Sequence, residues 1–128
     1  MTRVAASNVR LKRAYEPASP ADGKRILVDR LWPRGVAKTR AALDFWMKEI
    51  APSAELRAWF GHDPSRWDEF RVRYAKELAT HEDLVATLRK LARRGPVTLV
   101  YSARDEARND AVVLRDVLLG KDPTVAAG

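Results

Sequence analysis

The sequence predicts a small single-domain α/β protein, a three-layer sandwich in which a mostly parallel sheet of about four strands is flanked by helices. Two observations carry this prediction. Residues 26–28 and 97–101 are short runs that are apolar almost throughout, as strands buried on both faces are. These runs alternate with amphipathic helical segments, which is the pattern of a sheet covered by helices. The length of 128 residues suits one domain with a sizeable core.

The first part of the chain predicts two strands and the segments that follow them. Apolar and basic residues alternate over residues 9–15, which predicts a strand with one basic face. Proline residues and an Asp-Gly pair make residues 16–23 a loop, and residues 26–30 form the second strand. Residues 36–42 supply one or two helical turns. Residues 43–50 fit either a helix or a strand, because their apolar residues occur at both spacings.

Three helices are predicted in the middle of the chain. Ser53 caps a short helix that extends to residue 60, and Asp63, followed by proline, starts the next one. The stripe of this second helix that we expect to face the core consists of Trp67, Phe70, Tyr74 and Leu78. Thr80 begins the third helix, which ends at Gly95 because glycine and the following proline terminate helices.

The last part of the chain predicts a strand and a helix. Residues 97–101 are rich in β-branched residues, and Asp105 caps the final amphipathic helix. The domain therefore covers residues 8–119. We expect residues 1–7 and 120–128 to be flexible ends, because they carry no hydrophobic periodicity.

Composition excludes several classes of protein. With 46% hydrophobic and 32% charged residues, the chain is globular rather than disordered. No apolar run has the length of a membrane span, and the N-terminus lacks the signal-peptide pattern. The absence of cysteine excludes disulfides, thiolate metal sites and thiol nucleophiles. We therefore expect a cytoplasmic protein that does not act at a membrane.

The positive charge is concentrated in the first third of the chain. Residues 1–40 contain 10 Lys and Arg but 3 Asp and Glu, whereas residues 41–128 contain 14 of each class. The net charge of +7 thus arises from the first segment. Such a basic face attracts phosphates, acidic metabolites or nucleic acid, and charge alone does not choose among them.

The loop after the second strand is the strongest candidate for a site. In open α/β sheets, ligands bind beyond the carboxyl ends of the strands. Arg30 and Arg34 lie in this loop and can form a clamp on phosphate or carboxylate. Alternatively, Asp29 or Asp105 pairs with Arg30 and orients the loop. Trp32 can stack on a planar ligand, although a plug at the end of the core is the favoured interpretation.

Further candidates follow the last strand or lie in the loop after residue 60. If the second and last strands are parallel, the segment after the last strand reaches the same crevice, and its candidate ligand-binding residues are Arg104, Arg108 and Asn109. Asp105 is a candidate general base, because neighbouring arginines lower the pKa of a carboxyl. His62 is a second candidate catalytic residue, since histidine titrates near neutral pH, although a structural loop role is favoured.

Five ordered motifs resemble the DUF488 (YeaO-like) family over about residues 9–119. They are residues 12–16 (KRAYE), 27–35 (LVDRLWPRG), 51–53 (APS), 56–62 (LRAWFGH) and 99–105 (LVYSARD). The resemblance implies an α/β domain with a strand near residues 43–50 and implies no firm activity. The chain departs from the family at residues 108–110 (RND), where relatives commonly have histidine and asparagine-rich residues.

Two function classes remain open. The favoured one is a site for a small anionic ligand, either for binding alone or for catalysis. The alternative is weak, non-specific binding of nucleic acid by the basic first third, since no sequence-reading motif is present. The chain has 2 histidines and no cysteine, so we predict no metal site, and no motif predicts a cofactor. Ser102 lacks the glycine-flanked turn that exposes a hydrolase nucleophile.

Overall fold

A four-stranded, all-parallel sheet forms the centre of the molecule. The structure is a computed structural model and describes residues 4–121. The strands are β1 (Val9–Arg13), β2 (Lys24–Leu27), β3 (Phe45–Trp46) and β4 (Val97–Tyr101), in the spatial order β1-β4-β2-β3. The predicted α/β fold with a parallel sheet is confirmed. Residues 1–3 and 122–128, which belong to the predicted flexible ends, lie outside the described residues.

The described part of the chain contains five α-helices. They are α1 (Lys38–Ala41), α2 (Ala54–Phe60), α3 (Trp67–Ala79), α4 (Glu82–Arg94) and α5 (Asp110–Leu118). Of these, α2 to α5 pack on one face of the sheet. The Ser53 side chain accepts a hydrogen bond from the Leu56 amide and caps α2 as predicted. The Asp63 side chain accepts from the Ser65 amide and caps the short 3-10 turn that leads into α3. Of these helices, none is both long and apolar enough to cross a membrane.

Two local predictions are corrected. The second strand begins at Lys24 and ends at Leu27, instead of covering residues 26–30, because it pairs with β4 from Val97 onward. Thr80 does not cap α4. Its hydroxyl donates to the Glu77 carbonyl at the end of α3, and α4 begins after His81 without a side-chain cap.

The ambiguous residues 43–50 contain a short strand followed by a turn. Phe45–Trp46 pairs with β2, and Lys48–Ile50 forms a 3-10 turn. The strand that the family resemblance implies in this region is confirmed. It forms one edge of the sheet, and its two side chains remain partly exposed, at 48% for Phe45 and 37% for Trp46.

The main core lies between one face of the sheet and helices α2 to α5. The largest fully buried side chains include Tyr74, Phe70, Ile26, Leu88, Leu99 and Leu114. The predicted stripe on α3 therefore faces the core, with Trp67 at its half-buried end. The third layer of the sandwich is thin. On this side Leu27 and Val100 are covered by Trp32 and Leu43.

Several basic residues of the first third are bound within the protein itself. Arg25 is 3% exposed and donates to the Asp22 carboxylate at 2.7 Å and to the Ala41 carbonyl. Lys12 lies 3.1 Å from the same carboxylate. Arg13 donates to the Ala103 carbonyl at 2.9 Å. The positive charge of this segment is thus only partly available to a partner.

Candidate functional site

The carboxyl ends of β1, β2 and β4 open into one cleft of about 960 Å³. The loops that follow these strands form one side, and residues of α2 and α3 form the other. All eight residues predicted to form the site line this cleft: Arg30, Trp32, Arg34, His62, Arg104, Asp105, Arg108 and Asn109. Because β2 and β4 are parallel, the loops after them meet at the same edge as predicted.

Asp29 joins the two central loops. Its Oδ2 atom accepts hydrogen bonds from the Ser102 amide at 2.9 Å and from the Ser102 hydroxyl at 2.8 Å. The proposed pairing of Arg30 with Asp29 or Asp105 is wrong, since Arg30 makes no ion pair among residues 4–121. The Ser102 hydroxyl is therefore held by Asp29. No glycine-flanked turn exposes it as a hydrolase nucleophile.

Four guanidinium groups in the cleft lack partners. The guanidinium groups of Arg30, Arg34, Arg57 and Arg104 make no hydrogen bond or ion pair within the described part of the chain. The Nε atoms of Arg30 and Arg57 are also buried. A buried donor without a partner lowers stability, and guanidinium stays charged at all relevant pH values. The cleft therefore presents uncompensated positive charge to an occupant.

Asp105 stabilises the turn that precedes α5 and does not cap the helix. Its carboxylate accepts from the amides of Ala107 and Arg108, and the Arg108 guanidinium lies 3.4 Å away. The Ala107 amide is the main cause that lowers the pKa of Asp105, and Arg108 lowers that pKa further. The predicted direction of the shift is correct, although its principal cause is the backbone.

Asn109 is the actual cap of α5. Its Oδ1 atom accepts from the Val112 amide at 3.1 Å, while its Nδ2 group donates to the Asp105 carbonyl at 2.9 Å. The residue is 3% exposed. Although Asn109 lines the cleft, both ends of its amide are engaged in holding the loop.

Trp32 closes the end of the thin layer. Its indole N–H donates to the Val36 carbonyl at 2.7 Å, and its ring packs edge-on against Trp46 with centroids 5.5 Å apart. The favoured interpretation of a core plug is consistent with these contacts. Trp32 also contributes apolar surface to the cleft.

His62 lies at the mouth of the cleft in a strained backbone conformation. Its φ is +56°, directly after Gly61, and its side chain is exposed. The neighbouring Asp63 bonds to Ser65 and lies 3.7 Å from Arg66, so it does not orient the imidazole. The ring centroid is 6.2 Å from that of Phe60.

A carboxyl pair was missed by the sequence analysis. Asp110, the first residue of α5, lines the cleft with its carboxyl in hydrogen-bond contact with that of Asp29. Burial, and then the charge of Asp29, raise the pKa of Asp110 well above its usual range. The sequence offered one signal for Asp110, which is an aspartate in the first turn of a helix. Because an aspartate is common there as the complement to the helix dipole, it did not indicate a carboxyl pair.

Arg57 was missed as well. It lies on α2, where Ala54, Arg57 and Ala58 share the face that lines the cleft. A guanidinium flanked by small residues at helical spacing was visible in the sequence. What the sequence did not indicate is that α2 packs beside the carboxyl edge of the sheet.

Comparison with known proteins identifies the family. A sequence profile described as "Inactive DUF488-N3 subclade" matches residues 8–124. The chain belongs to the DUF488 family. No solved structure matches this DUF488 chain.

Relatives of this DUF488 protein match it over nearly their whole length. The Escherichia coli (strain K12) protein named "Uncharacterized protein YeaO" is 50% identical over 111 residues, which is 87% of this chain and 96% of the relative. The Mycobacterium tuberculosis protein named "Uncharacterized protein Rv3073c" is 47% identical over 115 residues, covering 90% of this chain and 97% of the relative. The resemblance given by the five motifs is confirmed.

Proposed function

We propose that this DUF488 protein binds a small ligand bearing phosphate or carboxylate at the carboxyl edge of its sheet. The observation that carries the proposal is the set of four guanidinium groups that face one cleft without partners in residues 4–121: Arg30, Arg34, Arg57 and Arg104. An anion would supply hydrogen-bond acceptors to the buried Nε atoms and offset the local charge.

Binding without turnover is the form of this function that the residues support best. The carboxylate of Asp105 is engaged by two backbone amides and a guanidinium. The exposed imidazole of His62 has no carboxylate to orient it in the described region. The family profile also carries the word "inactive" in its description. A general acid or base would need both a suitable pKa and a fixed position.

The proposal is tested by calorimetric titration of inorganic phosphate into three proteins. We expect the wild type to bind phosphate and Arg57→Ala to lose at least about ten-fold in affinity, since a hydrogen bond to a charged group contributes roughly 1.5–3 kcal/mol. Arg71→Ala is the matched control. Arg71 is also a helical arginine with a buried, unpartnered Nε, but it pairs with Asp68 and does not line the cleft.

Equal affinity in the wild type and Arg57→Ala would contradict the assignment of the cleft. So would an equal loss in Arg57→Ala and Arg71→Ala, because that result would reflect net charge alone. Far-ultraviolet circular dichroism of each variant establishes that the fold is retained before the affinities are compared.

A further inference from the structure

We infer that the ligand of this cleft is a phosphorylated polyol, whose phosphate contacts the unpartnered guanidinium groups and whose hydroxyls contact the carboxyl pair of Asp29 and Asp110. The inference rests on the proposed function and specifies its ligand class. It combines two features that line the same cleft: a cluster of guanidinium groups and a pair of carboxyls that a simple anion leaves unused.

The charge balance of the cleft favours a phosphate monoester over a carboxylate. Four guanidinium groups lack partners in the described residues, whereas Arg108 is already paired with Asp105. The carboxyl pair of Asp29 and Asp110 in the same cleft offsets only part of this charge. The remaining positive charge exceeds that of one carboxylate, and a phosphate monoester carries nearly two negative charges at neutral pH.

The carboxyl pair calls for hydrogen-bonding groups on the ligand. One oxygen of Asp29 is occupied by the amide and hydroxyl of Ser102. The Asp110 carboxyl lines the same cleft, and its raised pKa favours the protonated form, which can donate as well as accept. Hydroxyl groups satisfy both roles, while a purely apolar ligand would leave these polar atoms desolvated and unpaired.

The remaining wall of the cleft suits the carbon skeleton of such a ligand. Ala54 and Ala58 on α2 line this wall and are exposed. The C–H groups of a polyol can pack on this apolar surface while its hydroxyls face the carboxyls. The volume of about 960 Å³ falls within the usual range for ligand sites and exceeds what inorganic phosphate fills.

The test compares inorganic phosphate, propyl phosphate and glycerol phosphate by calorimetric titration of the wild-type protein. Glycerol phosphate and propyl phosphate share a three-carbon chain and differ in their hydroxyls. We expect glycerol phosphate to bind about ten-fold tighter than propyl phosphate, because one additional hydrogen bond to a charged group contributes about that much to affinity.

The variant Asp110→Ala should lose this ten-fold preference, so that it binds glycerol phosphate and propyl phosphate with equal affinity. Asn109 still caps α5 in that variant, and alanine favours the helix. The control is Asp116→Ala. Asp116 is on the same helix but outside the cleft, and its carboxylate lies 3.6 Å from the Arg115 guanidinium. The control should keep the preference for glycerol phosphate.

The outcomes separate this inference from the proposed function. If all three compounds bind and glycerol phosphate shows no advantage over propyl phosphate, the polyol inference is overturned and the anion site stands. A preference that survives in Asp110→Ala also overturns it. If none of the three compounds binds, both the ligand class and the anion site are wrong.

Discussion

The Asp29 carboxylate receives two hydrogen bonds from Ser102, at 2.9 Å from its amide and 2.8 Å from its hydroxyl. This contact fixes the loop after β2 against the loop after β4, so the arginines on both loops face one cleft. Asp29 also contacts Asp110 at the start of α5. One carboxyl thus connects two strands and a helix at the edge where the unpartnered guanidinium groups lie.

Phe70→Ala should lower the free energy of unfolding by roughly 3–5 kcal/mol, the usual range for a buried aromatic truncation. Phe70 is 2% exposed and stacks with Phe60 at a centroid distance of 4.4 Å. Urea denaturation of wild type and variant measures the difference.

Arg34→Ala is the comparison for this measurement, and it should change stability by less than about 0.5 kcal/mol. Arg34 is exposed and has no partner in the described residues. If Arg34→Ala unfolds as readily as Phe70→Ala, Arg34 is a structural residue rather than part of an anion site.

Asp22→Ala should destabilise the protein by roughly 3 kcal/mol at neutral pH, because it leaves the buried Arg25 unpaired. Burial raises the pKa of Asp22, but the Ser19 amide, Lys12 and Arg25 outweigh it and lower the pKa below 3.8. The contribution of Asp22 is therefore present above pH 3.8 and is lost as the pH falls through the lower, folded-state value.

The matched control is Asp68→Ala, whose exposed pair with Arg71 contributes less than about 1 kcal/mol. Thermal melts of both variants between acidic and neutral pH make the comparison. A stability difference between wild type and Asp22→Ala that does not narrow in acid would contradict this account of the ion pair.

Asp110→Asn should stabilise the protein, and the gain over wild type should grow as the pH rises from acidic to neutral. Burial, with the charge of Asp29, raises the pKa of Asp110 above 3.8 in the folded state. Its favourable contribution is complete below the unfolded-state pKa and disappears as the pH rises through the folded-state value. Asparagine does not titrate, so a gain that stays constant with pH in thermal melts would contradict the raised pKa of Asp110.

Much of the fold follows from local sequence patterns. The apolar run of β4 and the 3.6-residue stripe on α3 predicted their elements correctly, because burial on a strand or helix imposes a clear period. The caps at Thr80 and Asp105 failed for a common reason. Threonine and aspartate side chains bond to nearby backbone groups in several geometries, and both residues adopt a non-capping one.

Only those residues of the candidate site that lie in the loops after the strands could be predicted from the sequence. The rule that ligands bind at the carboxyl edge of a parallel sheet indicated Arg30, Arg34 and Arg104. Arg57 comes from a helix whose position beside that edge depends on tertiary packing. Asp110 could be recognised as a residue of the site only from its contact with Asp29, which lies far away in the sequence.

Binding of duplex DNA should be weak and non-specific. Lys12, Arg13 and Arg25 are bound to groups of the protein itself, so only part of the positive charge of the first third is available to a phosphate backbone. Each phosphate contact contributes a slope of about −0.9 to the dependence of log affinity on log salt concentration. A fluorescence anisotropy titration from low to physiological salt measures this slope. Tight, sequence-dependent binding at physiological salt would favour nucleic acid as the partner over a small ligand.

The most direct test of the anion site is a crystal structure of the protein soaked in selenate, a phosphate-like anion whose selenium is located by anomalous scattering. We predict a selenium peak in the cleft, with a selenate oxygen within hydrogen-bonding distance of Arg30 or Arg34. A cleft without a peak, with both guanidinium groups bound to protein carboxylates or carbonyls, would contradict the account.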